Sequence, residues 1–161
     1  MTVVVRAKPA SAGLGCGAYD GGMDLIDRHG RVATDLRVSL TDRCNLRCQY
    51  CMPAEGLDWL PTEATLTDDE LNRLIAIGVE MLGIRDVRFT GGEPLLRRSL
   101  PSIVATTKAL PSRPRTAMTS NGLGLKHTAR ALAEAGLDRV NISLDTTDPA
   151  TFEKITRRDR L

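Results

Sequence analysis

Hydrophobic and polar residues alternate in three short segments of this chain, 37–40, 86–90 and 139–145. In each segment the apolar side chains fall on one face and charged or hydroxyl side chains on the other. A period of two residues predicts β-strands. A further strand is predicted at 115–120, with the sequence RTAMTS.

Between the first two strands the hydrophobic period changes to that of an α-helix. Thr67, followed by Glu70 three positions later, is typical of a capping box and predicts that a helix begins there. Gly83 follows its predicted last turn. The side chains expected on the buried face of this helix are Leu71, Leu74, Ile75 and Leu82.

Helices are also predicted after the second and third strands, at 99–110 and 126–135. Asp148 and Pro149 supply an N-cap and a first helical residue for a fourth helix. In the helix at 99–110 the expected buried residues are Leu100, Ile103, Val104 and Thr107. The order of elements is therefore βαβαβαβα, which predicts a parallel sheet covered by helices.

The polar faces of the strands suggest a more specific architecture. Strands buried on both sides usually have continuous apolar sequences, whereas these have one polar face. If the sheet curves into a β/α barrel, the polar faces line its interior and form a lumen for a polar ligand. The alternative is an antiparallel sheet with one solvated face, which the intervening helices disfavour.

Composition and charge limit the classes of function. The chain has 161 residues, 42% of them hydrophobic, and a net charge of +2, which gives no reason to expect a nucleic-acid or membrane partner. No apolar segment is long enough for a signal peptide or a membrane span, so we expect a cytoplasmic protein. Residues 1–30 hold six glycines and little periodicity, and are expected to form a flexible leader in which Cys16 is an incidental thiol.

Three of the four cysteines, Cys44, Cys48 and Cys51, lie within eight positions just after the first predicted strand. One alternative is a buried helical stripe, because the spacing is also that of one helix face. A structural zinc site usually has four ligands, and His29 and His127 are distant in sequence. A [4Fe–4S] cluster held by three thiolates leaves one iron open for a substrate or cofactor.

The C-x3-C-x2-C spacing after a first strand resembles that of the radical S-adenosylmethionine (SAM) enzymes. This resemblance implies a [4Fe–4S] cluster whose open iron binds SAM, the source of a 5′-deoxyadenosyl radical. The segment FTGGEP at 89–94 is similar to the glycine-rich strand end that contacts SAM in that superfamily. Taken alone, the glycine pair could equally form a simple turn.

Longer segments resemble one family within the superfamily, the GTP 3′,8-cyclases. They are DLRVSLTDRCNLRCQYCMP, VRFTGGEPLLR, TSNG, RVNISLD and ITRRD, and the resemblance extends from about Gly30 to Leu161. It implies conversion of GTP to (8S)-3′,8-cyclo-7,8-dihydroguanosine 5′-triphosphate, the first step of molybdenum cofactor biosynthesis.

The resemblance also implies roles for individual residues. It assigns the cluster to Cys44, Cys48 and Cys51, SAM contacts to Tyr50, Gly92 and Ser143, and GTP contacts to Arg37, Arg88 and Thr119. Arginine suits a triphosphate because its planar guanidinium binds phosphate oxygens in pairs. As alternatives, Arg37 and Arg88 could form surface salt bridges. The side chains expected to be solvated surface charges are Arg97, Arg98, Arg157 and Arg158.

Family members continue well beyond the length of this chain and carry a second three-cysteine cluster. We therefore expect residues 31–161 to be the N-terminal part of a radical SAM core, a partial (βα) barrel of about four parallel strands. Such a chain is expected to be catalytically incomplete. Its expected partner is a second copy, in a homodimer as in the family, or a separate chain that supplies the missing half. The competing interpretations are another radical SAM enzyme and a non-catalytic module that binds zinc or a redox cluster.

Overall fold

The computed structural model describes residues 24–161 and the backbone of residues 3–8. Its five strands form one sheet in the order β1 to β5: β1 (Val3–Lys8), β2 (Val32–Ser39), β3 (Asp86–Thr90), β4 (Arg115–Ser120) and β5 (Arg139–Ile142). Strands β2 to β5 are parallel, as predicted, and β1 runs antiparallel to β2.

Strand β1 lies inside the segment predicted as a leader, and its pairing with β2 was not expected from its composition. Residues 9–23, which include Cys16, lie outside the described residues. The first parallel strand also begins earlier than predicted, at Val32, and Ile26 forms an isolated bridge with Val32. The predicted boundary at Gly30 between a flexible leader and the core domain is not tested by these strand pairings and stays a prediction.

Four α-helices alternate with the parallel strands, as the hydrophobic periods predict: α1 (Asp68–Met81), α2 (Leu100–Lys108), α3 (Leu125–Glu134) and α4 (Pro149–Thr156). The capping box is present, since the Thr67 hydroxyl accepts from the Glu70 amide and the Glu70 carboxylate accepts from the Thr67 amide. Asp148 caps α4 through the amide of Thr151. These helix starts are therefore confirmed.

The core lies between one face of the sheet and the helices. Val38, Phe89 and Met118 occupy neighbouring strands in one register row and are at most 2% exposed. All four residues predicted for the buried face of α2 are buried. The prediction for α1 was wrong at Leu74, which is 46% exposed, because Gly78 and Val79 face the sheet instead.

The fourth parallel strand ends at Ile142 instead of 145. The apolar side of the predicted segment 139–145 is also less covered than expected. Val140, Ile142 and Leu144 are 37–49% exposed. Strand β5 pairs only with β4 and is an edge of the described sheet, so fewer side chains surround it. Within residues 24–161, no helix is both long and apolar enough to cross a membrane.

Arg97 is not the solvated charge that the sequence suggested. Its side chain is 16% exposed, and its guanidinium donates to the carboxylate of Asp68 at 2.6 Å and to the carbonyls of Leu40 and Leu66. It therefore joins the start of α1 to the end of β2. The prediction failed because a sequence pattern does not show which backbone carbonyls lie within reach of a long side chain.

A second hydrogen-bonded carboxylate joins β4 to the region after α3. Asp138 accepts from the amide and hydroxyl of Thr116 and from the ammonium of Lys108. Burial opposes ionisation of Asp138, but the hydrogen bonds from Thr116 and Lys108 outweigh it and lower its pKa.

Candidate functional site

The three clustered cysteines lie in the loop that follows β2, at the carboxyl end of the parallel strands. Leu46 is 5% exposed and anchors the loop in the protein interior. The carbonyl of Cys48 accepts hydrogen bonds from the amides of Cys51 and Met52, which closes a tight turn between the last two cysteines. The segment is a loop, so the alternative of a buried helical stripe is wrong.

The environment of these thiols disfavours free thiolates. Burial raises the pKa of Cys44, of Cys48 and of Cys51. Nearby negative charge acts in the same direction, from Glu93 on Cys44 and from Asp145 on the other two. Thiolates in such a place need a compensating positive charge, which a bound metal centre supplies.

The glycine-rich segment after β3 packs directly against the cysteine loop. The amide of Gly92 donates to the Thr41 carbonyl at 2.7 Å, and the amide of Glu93 donates to the Arg43 carbonyl at 2.8 Å. A Cβ atom at Gly91 would overlap the Thr41 carbonyl oxygen, and one at Gly92 would overlap that of Arg43. Close approach of two backbone segments therefore requires both glycines, before any ligand is considered.

The carboxylate of Glu93 joins the segment after β3 to the end of β4, and the residue is only 1% exposed. Its carboxylate accepts from the Leu95 amide at 3.0 Å, the Ser120 hydroxyl at 2.8 Å and the Asn121 amide at 2.8 Å. Glu93 has no role predicted from the sequence, and the one local signal for it is its position directly after the glycine pair.

Two further hydrogen bonds connect the cysteine loop to the ends of β4 and β5. Asn121 donates through its side-chain amide to Asn45 at 2.7 Å. The hydroxyl of Tyr50 donates to the Asp145 carboxylate at 2.7 Å, and this hydrogen bond is the main reason that the Tyr50 pKa is raised. Tyr50 is 67% exposed, but it is not an isolated surface aromatic.

Two arginines hold the backbone of the cysteine loop. The Arg47 guanidinium donates to the carbonyls of Cys44 and Leu46 and lies over the ring of Trp59. The Arg157 guanidinium donates to the carbonyls of Arg47 and Met52. The prediction that Arg157 is a solvated surface charge was therefore wrong, whereas Arg158 and Arg98 are exposed.

A cavity of about 270 Å³ collects most of the residues that the resemblance singled out. Its walls come from the loops after β2, β3, β4 and β5, and include buried Glu93. The predicted site residues that line it are Cys44, Cys48, Cys51, Arg37, Tyr50, Gly92, Thr119 and Ser143. Tertiary structure thus brings eight predicted residues, spread over about a hundred positions of sequence, to one place.

Arg88 is the predicted site residue that does not line this cavity. It is the direct register neighbour of Arg37 on the polar face of the sheet, in a row that continues through Ala117 to Arg139. In the part of the chain that the structure describes, neither Arg37 nor Arg88 pairs with a carboxylate. The surface salt bridges considered as an alternative for these two arginines are therefore not formed with any carboxylate among residues 24–161.

The donor set fits an iron–sulfur cluster better than a single metal ion. Among residues 24–161, no three His, Cys, Asp or Glu side chains are arranged to hold one ion. Each thiolate of a cubane binds a separate iron, so three thiols that share a cavity need not converge on one point. Glu93 lies in the same cavity, but its oxygens already accept three hydrogen bonds.

Comparison with known proteins yields relatives at high identity. The chain is 68% identical over 137 residues to a GTP 3′,8-cyclase of Mycobacterium sp. (strain KMS), covering 85% of this chain and 39% of that protein. It is 60% identical over 163 aligned positions to a GTP 3′,8-cyclase of Corynebacterium glutamicum, covering 96% and 43%. The chain therefore spans about two fifths of the length of the curated relatives it matches.

Among solved structures, BtrN in complex with AdoMet and 2-DOIA has a similar fold, with a TM-score of 0.51 at 19% identity. The similarity covers 75% of this chain and 50% of that one. The sheet of four parallel strands with intervening helices is thus the fold expected from the sequence. The model of the Radical SAM superfamily matches residues 38–161, and the chain belongs to that superfamily.

Proposed function

We propose that this chain is the N-terminal, cofactor-binding part of a GTP 3′,8-cyclase. Cys44, Cys48 and Cys51 hold a [4Fe–4S] cluster, and SAM binds at its open iron. The observation that carries the proposal is the shared cavity, in which the three thiols meet residues from four strand ends. The curated relatives with that name, at 58–68% identity, support it.

When bound, the cluster and SAM supply the radical chemistry, and this chain supplies binding and orientation. Tyr50, Gly92 and Ser143 line the same cavity as the three cysteines, which supports their proposed role as contacts of SAM. The backbone hydrogen bonds from Gly92 to Thr41 and from Glu93 to Arg43 hold the glycine-rich segment against the cysteine loop, so these two parts of the proposed SAM site stay together.

The first experiment tests the cluster. The chain is reconstituted with iron and sulfide without oxygen, and bound iron is measured for the unchanged chain and for Cys44→Ser, Cys48→Ser and Cys51→Ser. We expect four irons in the unchanged chain and a large loss in each variant, with Cys16→Ser as the matched control that keeps them. Retention of a full cluster in every variant would refute the assignment, and one bound zinc without SAM binding would favour a structural module.

We propose that GTP binds beside the cluster, with Arg37, Arg88 and Thr119 as its contacts in this chain. Arg37 and Arg88 are neighbours on adjacent strands and carry like charges, and neither pairs with a carboxylate of residues 24–161, so a polyphosphate between them relieves their repulsion. The product proposed is the 3′,8-cyclised nucleotide. Cyclisation also needs the part of the curated relatives that this chain does not cover.

The second experiment tests the GTP contacts in a chimaera that continues this chain with the remainder of the Mycobacterium relative. Arg37→Ala and Arg88→Ala are expected to weaken GTP binding roughly tenfold to hundredfold, because each loses a charge-assisted hydrogen bond of about 1.5–3 kcal/mol. SAM cleavage is expected to persist. Arg98→Ala, at an exposed arginine, is the control, and unchanged GTP affinity in both test variants would refute the assignment.

The isolated chain is proposed to be incomplete as a catalyst. With reductant, SAM and GTP in an anaerobic assay, we expect slow release of 5′-deoxyadenosine at most and no cyclised nucleotide. Formation of the product at the rate of a full-length relative would contradict this. We also propose a cytoplasmic location, because free thiols and clusters persist in a reducing compartment. The proposed partner is a second copy of this chain in a homodimer, or a separate chain that supplies the part of the relatives that this chain does not cover.

A further inference from the structure

The end of helix α4 is joined to the cysteine loop by backbone hydrogen bonds. The amides of Arg47 and Gln49 donate to the carbonyls of Thr156 and Ile155, each at 2.9 Å. These two amides belong to the residues on either side of Cys48. The Gln49 side chain adds a third hydrogen bond from the loop to α4, to the Lys154 carbonyl at 2.6 Å.

Arg157, the residue that follows α4, completes this junction through its side chain. One nitrogen of its guanidinium donates to the Arg47 carbonyl at 3.2 Å and to the Met52 carbonyl at 3.0 Å. Arg47 immediately precedes Cys48, and Met52 immediately follows Cys51. The guanidinium therefore bridges the two ends of the segment that contains two of the three predicted cluster ligands.

The backbone of Arg157 is unusual as well. Its φ is 54°, in the left-handed region that favours glycine, and it is one of two residues other than glycine in that region among those described. A glycine at this helix end would be free of the steric cost. The arginine side chain makes hydrogen bonds that glycine cannot make. The benefit of an arginine at this position is therefore the stabilisation of the cysteine loop.

We propose that Arg157 is a positioning residue for the iron–sulfur cluster. Its guanidinium holds the separation of Cys48 and Cys51, and α4 holds the backbone on either side of Cys48. This inference rests on the proposed cluster but assigns a role to a residue outside the cysteine motif. It also places a fixed positive charge beside a centre whose three thiolates are negative, so Arg157 influences how readily the cluster accepts an electron.

The test uses the whole chain, reconstituted without oxygen, with Arg157→Gly as the main variant. Glycine suits the left-handed backbone, so this change removes the guanidinium while leaving the helix end able to form. We expect iron release to a chelator to become about tenfold faster, in line with the loss of other outer contacts of metal sites. The electron paramagnetic resonance spectrum of the reduced cluster should change, and its reduction potential should become more negative.

Arg158→Gly is the matched control, because Arg158 is exposed and, among the described residues, its guanidinium donates only to the neighbouring Arg157 carbonyl. It removes the same charge from the adjacent position and should leave all three measurements unchanged. Arg157→Lys keeps the charge and can still reach one carbonyl, so it is expected to restore part of the slow iron release. If circular dichroism shows that Arg157→Gly is unfolded, Arg157→Lys is measured in its place, with an expected increase of about threefold.

The outcomes separate this inference from the proposed function. If the unchanged chain binds four irons and Arg157→Gly matches it in release rate, spectrum and potential, the positioning role is wrong and the cluster assignment stands. If the rate of iron release rises equally in Arg158→Gly, the loss of any nearby positive charge explains the increase, and the positioning role of Arg157 is also wrong. If the unchanged chain takes up no cluster, both the proposed function and this inference fail.

Discussion

The carboxylate of Glu93 provides the sharpest test of how this site is assembled. It is 1% exposed, and its three hydrogen bonds join the segment after β3 to the end of β4. Replacement by alanine would leave two backbone amides and one hydroxyl buried without an acceptor. Each such bond to a charged group contributes about 1.5–3 kcal/mol, and because the losses are not additive we expect a total near 4 kcal/mol.

Glu93→Gln is expected to remove only some of the hydrogen bonds that Glu93→Ala removes. One oxygen of the carboxylate accepts from both Leu95 and Ser120, and the other accepts from the Asn121 amide. A glutamine oxygen can keep the first pair, but its amino group then faces the Asn121 amide. The variant therefore loses one charge-assisted hydrogen bond, and we expect it to be destabilised by about 2 kcal/mol.

The assay is urea unfolding followed by circular dichroism. With a slope of about 2 kcal/mol per molar urea, the midpoint should fall by about 1 M in Glu93→Gln and about 2 M in Glu93→Ala. Glu63→Gln, at an exposed residue of a short 3-10 turn, is the control and should not move it. A midpoint for Glu93→Ala equal to that of the control would show that the buried carboxylate does not hold these loops together.

Three other predictions concern the scaffold around the site. Arg97→Ala should lower the free energy of unfolding by about 2–3 kcal/mol because it removes hydrogen bonds from a mostly buried guanidinium, while Arg98→Ala in the same urea assay should have little effect. Gly91→Ala should prevent stable folding, since its Cβ would overlap a backbone carbonyl. Gly124→Ala, also at positive φ but in open space, should lower the free energy of unfolding by only about 1–2 kcal/mol. Similar urea midpoints for the two variants would contradict the predicted overlap. The lowered pKa of Asp138 means that its contribution to stability is complete above the ordinary carboxyl value of 3.8 and is lost as pH falls through the lower folded value. The gap in urea midpoint between the unchanged chain and Asp138→Asn should therefore close in acid, and a gap that stays constant with pH would refute this.

Much of the fold follows from local patterns in the sequence. Alternating apolar residues locate β3 at its observed bounds, 86–90, and the segment RTAMTS is correctly predicted as β4 at 115–120. Thr67 and Asp148 mark the starts of α1 and α4, because a side-chain oxygen that caps a helix acts within three residues of its own position. The cysteine spacing likewise predicts a metal centre, since the thiols that form it are close in sequence.

Strand β1 and the burial of Arg97 do not follow from such patterns. Pairing of β1 with β2 depends on which strand edge is free, and that is a property of the assembled sheet. The acceptors of Arg97 at Asp68, Leu66 and Leu40 lie 29 to 57 positions away along the chain. Local composition shows only that an arginine is charged and long, so it favours solvent until a fold places acceptors within reach.

The site divides in the same way. The sequence by itself determined the ligand chemistry, namely three thiols, a glycine pair and arginines on a polar strand face. Only tertiary structure decided that Glu93 and Arg157 hold the loops carrying those groups, because both act on backbone donors or carbonyls of segments distant along the chain. Backbone amides and carbonyls are the same in every residue, so no sequence pattern distinguishes the ones that a buried carboxylate or a guanidinium will meet.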